Sequence, residues 1–190
     1  MEFVPKINIA MKKLQKENSE NKAKRQRRVV GSVMEINVNN AYYVYAQSYP
    51  YNKEIIFDYR TTVPLDDLSI LLTTKELFRV CVYSSVISQS HWIKVGKLPL
   101  RQDLLPPKKL FLYHPYDKVK YEIYDPLTNK ISKATKEECV GLELMAIWDY
   151  GCIEERIRDH YNGVRCRFLE DEYESGVLIP PEDTEDNSVR

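Results

Sequence analysis

Along residues 32–61 apolar and polar side chains alternate in three short runs. "SVMEINV" sets Met34, Ile36 and Val38 against Ser32, Glu35 and Asn37, and "YYVYAQSY" and "EIIFDYR" follow it with similar alternation. A period of two places successive side chains on opposite faces of a strand. Asn39 and Asn40, and the stretch 50–53, supply the turns, because Asn tolerates the conformations a tight hairpin requires. The pattern predicts a β-meander, curled as in SH3-like barrels. "PLDDLSILL" then changes period: Leu65, Leu68 and Leu72 recur at helical spacing behind Asp66 and Asp67, which predicts a short helix.

Further along, "ELFRVCVYSSVI" and "HWIKVGKLPL" read as two strands paired across a turn at 88–90. "KLFLYH" and "KYEIYD" read as two more beyond Pro106 and Pro107, with "PLTN" turning the chain into "KISKAT". "TKEE" at 135–138 is a capping box opening a short helix that Gly141 can close, and "LELMAIWD" reads as a core strand. A last helix is predicted over 149–163, with Asp149 as N-cap and Gly163 in the left-handed position that ends it. Tyr150, Ile153, Ile157 and Tyr161 form its apolar stripe, with His160 on the border. Glu154 with Arg158 and Arg156 with Asp159 stand at pairing distance along the helix. The fold class expected is α+β, mostly antiparallel β: a curled meander extended by further strands, with a C-terminal amphipathic helix packed on the sheet.

The 190 residues carry 28 basic and 28 acidic side chains, so total charge points to no class of partner. Its distribution is bipolar. Residues 1–28 hold nine Lys and Arg against three Glu, whereas eight acids follow from Glu170 onward with only Arg190 opposing them. The chain therefore divides into a basic arm, flexible or partly helical, over 1–28, one domain over 29–168 and an acidic tail over 169–190. Cys81, Cys139, Cys152 and Cys166 form no C-x-x-C and lack histidines at zinc spacing, which suits free thiols in a reducing compartment and no bound metal. No apolar leader segment and no span long enough for a bilayer is visible, so a cytoplasmic protein away from membranes is expected.

Candidate chemistry is sparse. The "VGKLPL" stretch has His91 where a phosphate loop needs its first glycine and Leu98 where it needs Ser or Thr. His160 as a general base would need Asp159 or Glu155, and adjacent helical residues do not face one another. The sequence offers no serine-hydrolase elbow and no zinc-protease motif, so no catalytic residue and no cofactor is expected. Tyrosine is the positive feature: Tyr42, Tyr43, Tyr45, Tyr49, Tyr51 and Tyr59 crowd the first three strands, and a sheet with one buried face would bring some of them to the surface. A nucleic-acid reading would stack bases on these rings, but Lys53 and Arg60 stand against Glu35, Glu54 and Asp58, so only the arm could supply the charge.

Taken in order, "KRQRRVVGSVMEI", "YYVYAQ", "IIFDY", "HWIKVGKLPL", "KYEIYD", "ATKEECVGLELMAIWD" and "EERIRDHYNG" resemble the immunity protein 26 family of bacterial polymorphic toxin systems, over residues 24–168. Members commonly place a charged residue where this chain has Ser32, and the arm and tail lie outside the family pattern. The resemblance implies a non-catalytic protein of the bacterial cytoplasm that binds a cognate toxin domain and blocks it; a monomer or weak dimer is expected. It implies architectural roles for Trp92, Gly96, Trp148, Asp149, Ile153, Ile157, His160 and Tyr161. Tyr43, Tyr45, Tyr49 and Tyr51 are the expected aromatic contacts to the toxin, with Asp58, Asp66 and Asp67 able to mimic phosphate if that toxin is a nuclease. The alternative is an SH3-like nucleic-acid module using the basic arm.

Overall fold

The computed structural model describes residues 26–83, 85–118 and 120–181. Among these, ten strands form two sheets. The first contains β1 (Ser32–Val38), β2 (Tyr42–Tyr49), β3 (Lys53–Thr61), β4 (Glu76–Val82), β5 (Ile93–Lys97) and β10 (Ile147–Trp148), in the order β10-β4-β3-β2-β1-β5. The second contains β6 (Leu110–Tyr113), β7 (Tyr121–Asp125), β8 (Lys130–Lys133) and β9 (Glu143–Leu144), in the order β8-β7-β6-β9. Helices α1 (Val86–Gln89), α2 (Lys136–Cys139), α3 (Tyr150–Asn162) and α4 (Glu170–Glu174) complete it, with 3₁₀ turns at Leu68–Leu72, Gln102–Leu104 and Arg167–Leu169. The architecture is α+β and mostly antiparallel, as the alternation predicts.

The meander forms where the pattern places it. Asn39 and Asn40 take φ of 53° and 57°, the left-handed pair of a tight hairpin, and set Met34 opposite Ala46 and Ile36 opposite Val44. Register shifts at Val33/Met34, Val44/Ala46 and Ile56/Phe57 mark bulges, which bend strands and strengthen their twist. The curled sheet then takes β5 back antiparallel to β1, giving the order β5-β1-β2-β3-β4 of an SH3-like barrel. Gly96 sits opposite Val33 in that pairing, where an added Cβ would stand 2.6 Å from Leu68 Cδ1 and would push the Leu68 side chain aside.

Both faces of this sheet are buried. On one, Met34, Ile36, Val44, Ala46, Ile56, Phe78 and Val80 pack with Ile153 and Ile157 of α3 and with Trp92 and Trp148. On the other, Val33, Tyr45, Tyr49, Ile55 and Phe57 meet Leu71 and Leu104, with Leu65, Leu68, Leu98 and Leu100 partly buried around them. The connections 61–75 and 98–105 thus do on the second face what α3 does on the first. A smaller core of Phe111, Cys139 and Val177 serves the second sheet.

Several expectations are corrected. Strand β5 pairs with β1 and not with β4, and the expected turn at 88–90 is largely the helical turn α1, whose Val86 and Ile87 are buried. A tight hairpin at 88–90 would hold β5 beside β4, whereas the sheet closes at β1. "LELMAIWD" is not one strand: β9 runs parallel to β6 and β10 parallel to β4, so the segment spans from one sheet to the other. His160 is exposed and does not help to pack the helix; Asp159 is the buried residue of that turn, under the Arg158 guanidinium at 2.9 Å. The stripe Ile153, Ile157, Tyr161 drifts by about 40° every four residues and has turned away from His160 by the last turn. The expected acidic tail begins later than Glu170: Glu170–Glu174 forms α4, and Glu172, Ser175 and Val177 are buried. Most of the arm lies outside the described residues, as does the chain beyond Pro181, yet the arm's last residues are anchored. The Gln26 side-chain amide donates to Trp92 O (2.6 Å) and accepts from Lys94 N–H (2.7 Å). Arg28 donates to the Glu54 carboxylate at 2.8 Å, to Lys53 O at 2.6 Å and to Tyr49 O. No helix among the described residues is long and apolar enough to cross a membrane.

Glu54 is fully buried, so Arg28→Ala leaves a carboxylate with Ser48 as its remaining hydrogen-bond partner among the described residues and should cost about 3–5 kcal/mol in denaturant unfolding, most of it regained by adding Glu54→Gln. Ile157→Ala should cost about 2–5 kcal/mol, whereas His160→Ala should stay within about 0.5 kcal/mol. Equal costs for the two helix variants would contradict the packing described.

Candidate functional site

Helix α3 begins where the Asp149 carboxylate accepts the Cys152 N–H at 2.9 Å and ends at Gly163, φ 65°. With Ile153 and Ile157 against the sheet, its flank bearing Arg156 and His160 faces β9 and the chain from Gly163 to Pro181. Between them lies a cleft of about 530 Å³, in the range of sites that hold small molecules or inserted side chains. Leu77, Leu142, Val164, Leu169 and Leu178 supply apolar walls, and Arg156, Glu143, Glu172 and Tyr173 supply polar groups.

The helix charges are answered across elements and not chiefly along the helix. Arg156 donates to both oxygens of Glu143 at 2.8 and 2.9 Å, and its guanidinium stands 4.0 Å from the Phe78 ring centroid and 5.2 Å from that of Trp148. This planar, bidentate, ring-stacked arrangement ties α3 to the second sheet in a way Lys could not. Glu154 accepts from the Trp92 indole N–H at 2.6 Å and lies 3.3 Å from His91 Nε2. Burial raises its carboxyl despite both neighbours. Arg158 is paired with Asp159 and, at 3.8 Å, with Glu155.

Glu172 is the exception. It is 4 % exposed, and among the described residues neither carboxylate oxygen has a hydrogen-bond partner. Burial pushes its carboxyl up to about 7, against the pull of its own backbone N–H and of Arg156, with Glu143 adding to the rise. The cleft therefore holds one guanidinium already committed to a partner and one carboxylate that is not.

The sequence-predicted contact residues do not converge. Tyr45 and Tyr49 are buried, at 0 % and 2 % exposed, in the core of the second face. The Tyr45 hydroxyl donates to Glu35 at 2.8 Å and accepts the Leu65 N–H at 2.8 Å; the Tyr49 hydroxyl accepts the Arg101 N–H at 3.1 Å. Neither can contact a partner, because the connections over that face leave no open side. Tyr43 packs half-buried on the same cluster. Tyr51 alone is open, 70 % exposed at the β2–β3 hairpin with φ 60°. Asp58 is exposed near the other end of β3, about 17 Å of strand from Lys53. It accepts from the Tyr161 hydroxyl at 3.2 Å, beside an edge-on Tyr42–Tyr161 pair over which Arg60 lies. Asp66 and Asp67 are exposed, and Asp67 caps the Leu68–Leu72 turn through Ser69 N–H at 2.8 Å. His114 meets Glu122 at 3.2 Å across β6 and β7. Among the described residues no three His, Cys, Asp or Glu gather as a metal site.

Sequence reading missed the cleft because its far wall was assigned to the acidic tail. The available signal was Leu169, Tyr173 and Val177, four residues apart among the acids, all of which pack inward.

Glu54 and Glu172 both titrate near 7 in the folded chain and near 4.3 when unfolded, so each contributes stability below about pH 4.3 that is lost as pH rises through 7. The melting temperature should therefore fall between pH 5.5 and 8, and Glu172→Gln should flatten that fall; a wild-type midpoint that rises over this window would contradict the burial of both carboxylates. The lowered carboxyls, Glu76, Asp67 and Glu170 among them, act below the window. Compared with models of protein families, with curated proteins and with solved structures, the chain matches none of them.

Proposed function

We propose that the protein is an immunity protein that binds a cognate bacterial toxin domain in the cytoplasm and blocks it sterically. The observation that carries the reading is the cleft together with its rim. Val164, Leu178 and Ile179 line it while 48 %, 39 % and 63 % exposed, and Val140 and Met145 stand open on the segment that forms its other wall. An exposed apolar rim around a partly polar depression is the surface anatomy of a partner-binding site. The ordered resemblance over 24–168 supports the same class of function. Tyr51, an exposed aromatic held at positive φ, is the one tyrosine of the original four still open as a contact.

A protective complex must persist, which calls for about 1,600 Å² of buried surface and slow dissociation. The test is co-expression with the C-terminal domain of a neighbouring toxin gene. Growth rescue and a one-to-one complex are expected. Val164→Asp combined with Ile179→Asp should weaken that complex by about 30-fold or more, the scale of a lost hot spot, while the fold is kept. Absence of rescue and of any complex would contradict the reading, and binding to RNA or DNA with steep salt dependence would point to the nucleic-acid alternative.

A further inference from the structure

We infer that the cleft between α3, β9 and the C-terminal segment receives a basic side chain, Lys or Arg, presented by a partner protein, with the Glu172 carboxylate as its counter-charge. The inference deepens the proposed function and rests on it only for the identity of the partner.

Glu172 is the carboxylate of the cleft that no other residue among those described engages. Glu172 is 4 % exposed, and among the described residues neither of its oxygens has a hydrogen-bond partner. Buried carboxylates are ordinarily satisfied, so an unsatisfied one lining an open cleft marks a place for a donor. Arg156, whose charge acts on Glu172, cannot fill it: its guanidinium is held by Glu143 through two bonds and by the Phe78 ring. The donor must come from outside the described chain.

The walls specify what carries that donor. Leu77, Leu142, Val164 and Leu169 line the approach to the carboxylate, which suits an alkyl stem ending in a charge, the construction of Lys and Arg. A compact inorganic cation would leave those walls unfilled. The exposed rim of Val164, Leu178 and Ile179 continues beyond the cleft, so its complement is a surface and not a free amine. Charge agrees: Asp171 and Glu174 are exposed on α4, and Glu182, Asp183, Glu185 and Asp186 follow Pro181 in the sequence. Such a concentration of acids attracts a basic partner and orients it.

The test needs no toxin. The full chain, labelled with ¹⁵N, is titrated at pH 8 with acetyl-Gly-Lys-Gly-amide, with the same peptide carrying norleucine in place of lysine, and with n-butylammonium. Saturable amide shifts at Leu142, Val164 and Val177 are expected for the lysine peptide. Binding should be about tenfold weaker or undetectable for norleucine on the wild-type chain and for lysine on Glu172→Gln. Shifts absent from the cleft, or equal for lysine and norleucine, would overturn the inference. Tighter binding of n-butylammonium than of the peptide would overturn its assignment to a protein partner. Failure of toxin co-expression with a positive titration would remove the immunity reading and leave the cleft's cation preference standing; the converse would remove the cleft.

Discussion

Burial of the meander sheet on both faces is the constraint from which the rest of the structure follows. A sheet with α3 on one side and nothing on the other would expose Val33, Tyr45, Tyr49, Ile55 and Phe57, a patch larger than a stable monomer tolerates. The chain meets this with two irregular connections, 61–75 and 98–105, whose leucines form the second cover. Those connections need fixed ends: the Tyr45 and Tyr49 hydroxyls hold the backbone of Leu65 and Arg101, Asp67 caps the turn between them, and Gly96 leaves room for Leu68. Arg28 enters the interior here paired with Glu54, which also accepts from Ser48.

With both faces of that sheet occupied, the open cleft lies elsewhere. It sits at the junction with the second sheet, where the chain passes from β9 to β10 and Arg156 clamps the passage by gripping Glu143. The same junction leaves the cleft, because α4 and the residues after it close only part of the gap. Glu172 is tolerated there at the expense of a raised carboxyl, the kind of local cost that stable folds carry where something binds.

Local signals were legible in the sequence where one principle decided them. The hairpin at Asn39 and Asn40, the capping box at Thr135, the Asp149 cap and the Ile153 and Ile157 stripe follow from spacing and residue type. What was not legible depends on pairings between distant segments. Alternation in β2 predicts that Tyr43, Tyr45 and Tyr49 share a face, but not that loops cover it. Complementary charges along α3 predict pairs within the helix, yet the bidentate geometry offered by Glu143 and the indole N–H of Trp92 take Arg156 and Glu154 away from helical neighbours. The site suffered most, since acids at 170–174 concealed the regular spacing of Leu169, Tyr173 and Val177.

The most direct measurement is hydrogen–deuterium exchange of the chain alone and in complex with the toxin domain proposed as its partner. The account predicts that the added protection concentrates on 140–145, 163–166 and 176–181, with the β2 and β3 interiors unchanged. Protection confined to the β2–β3 hairpin around Tyr51, with the cleft segments exchanging as in the free chain, would contradict it.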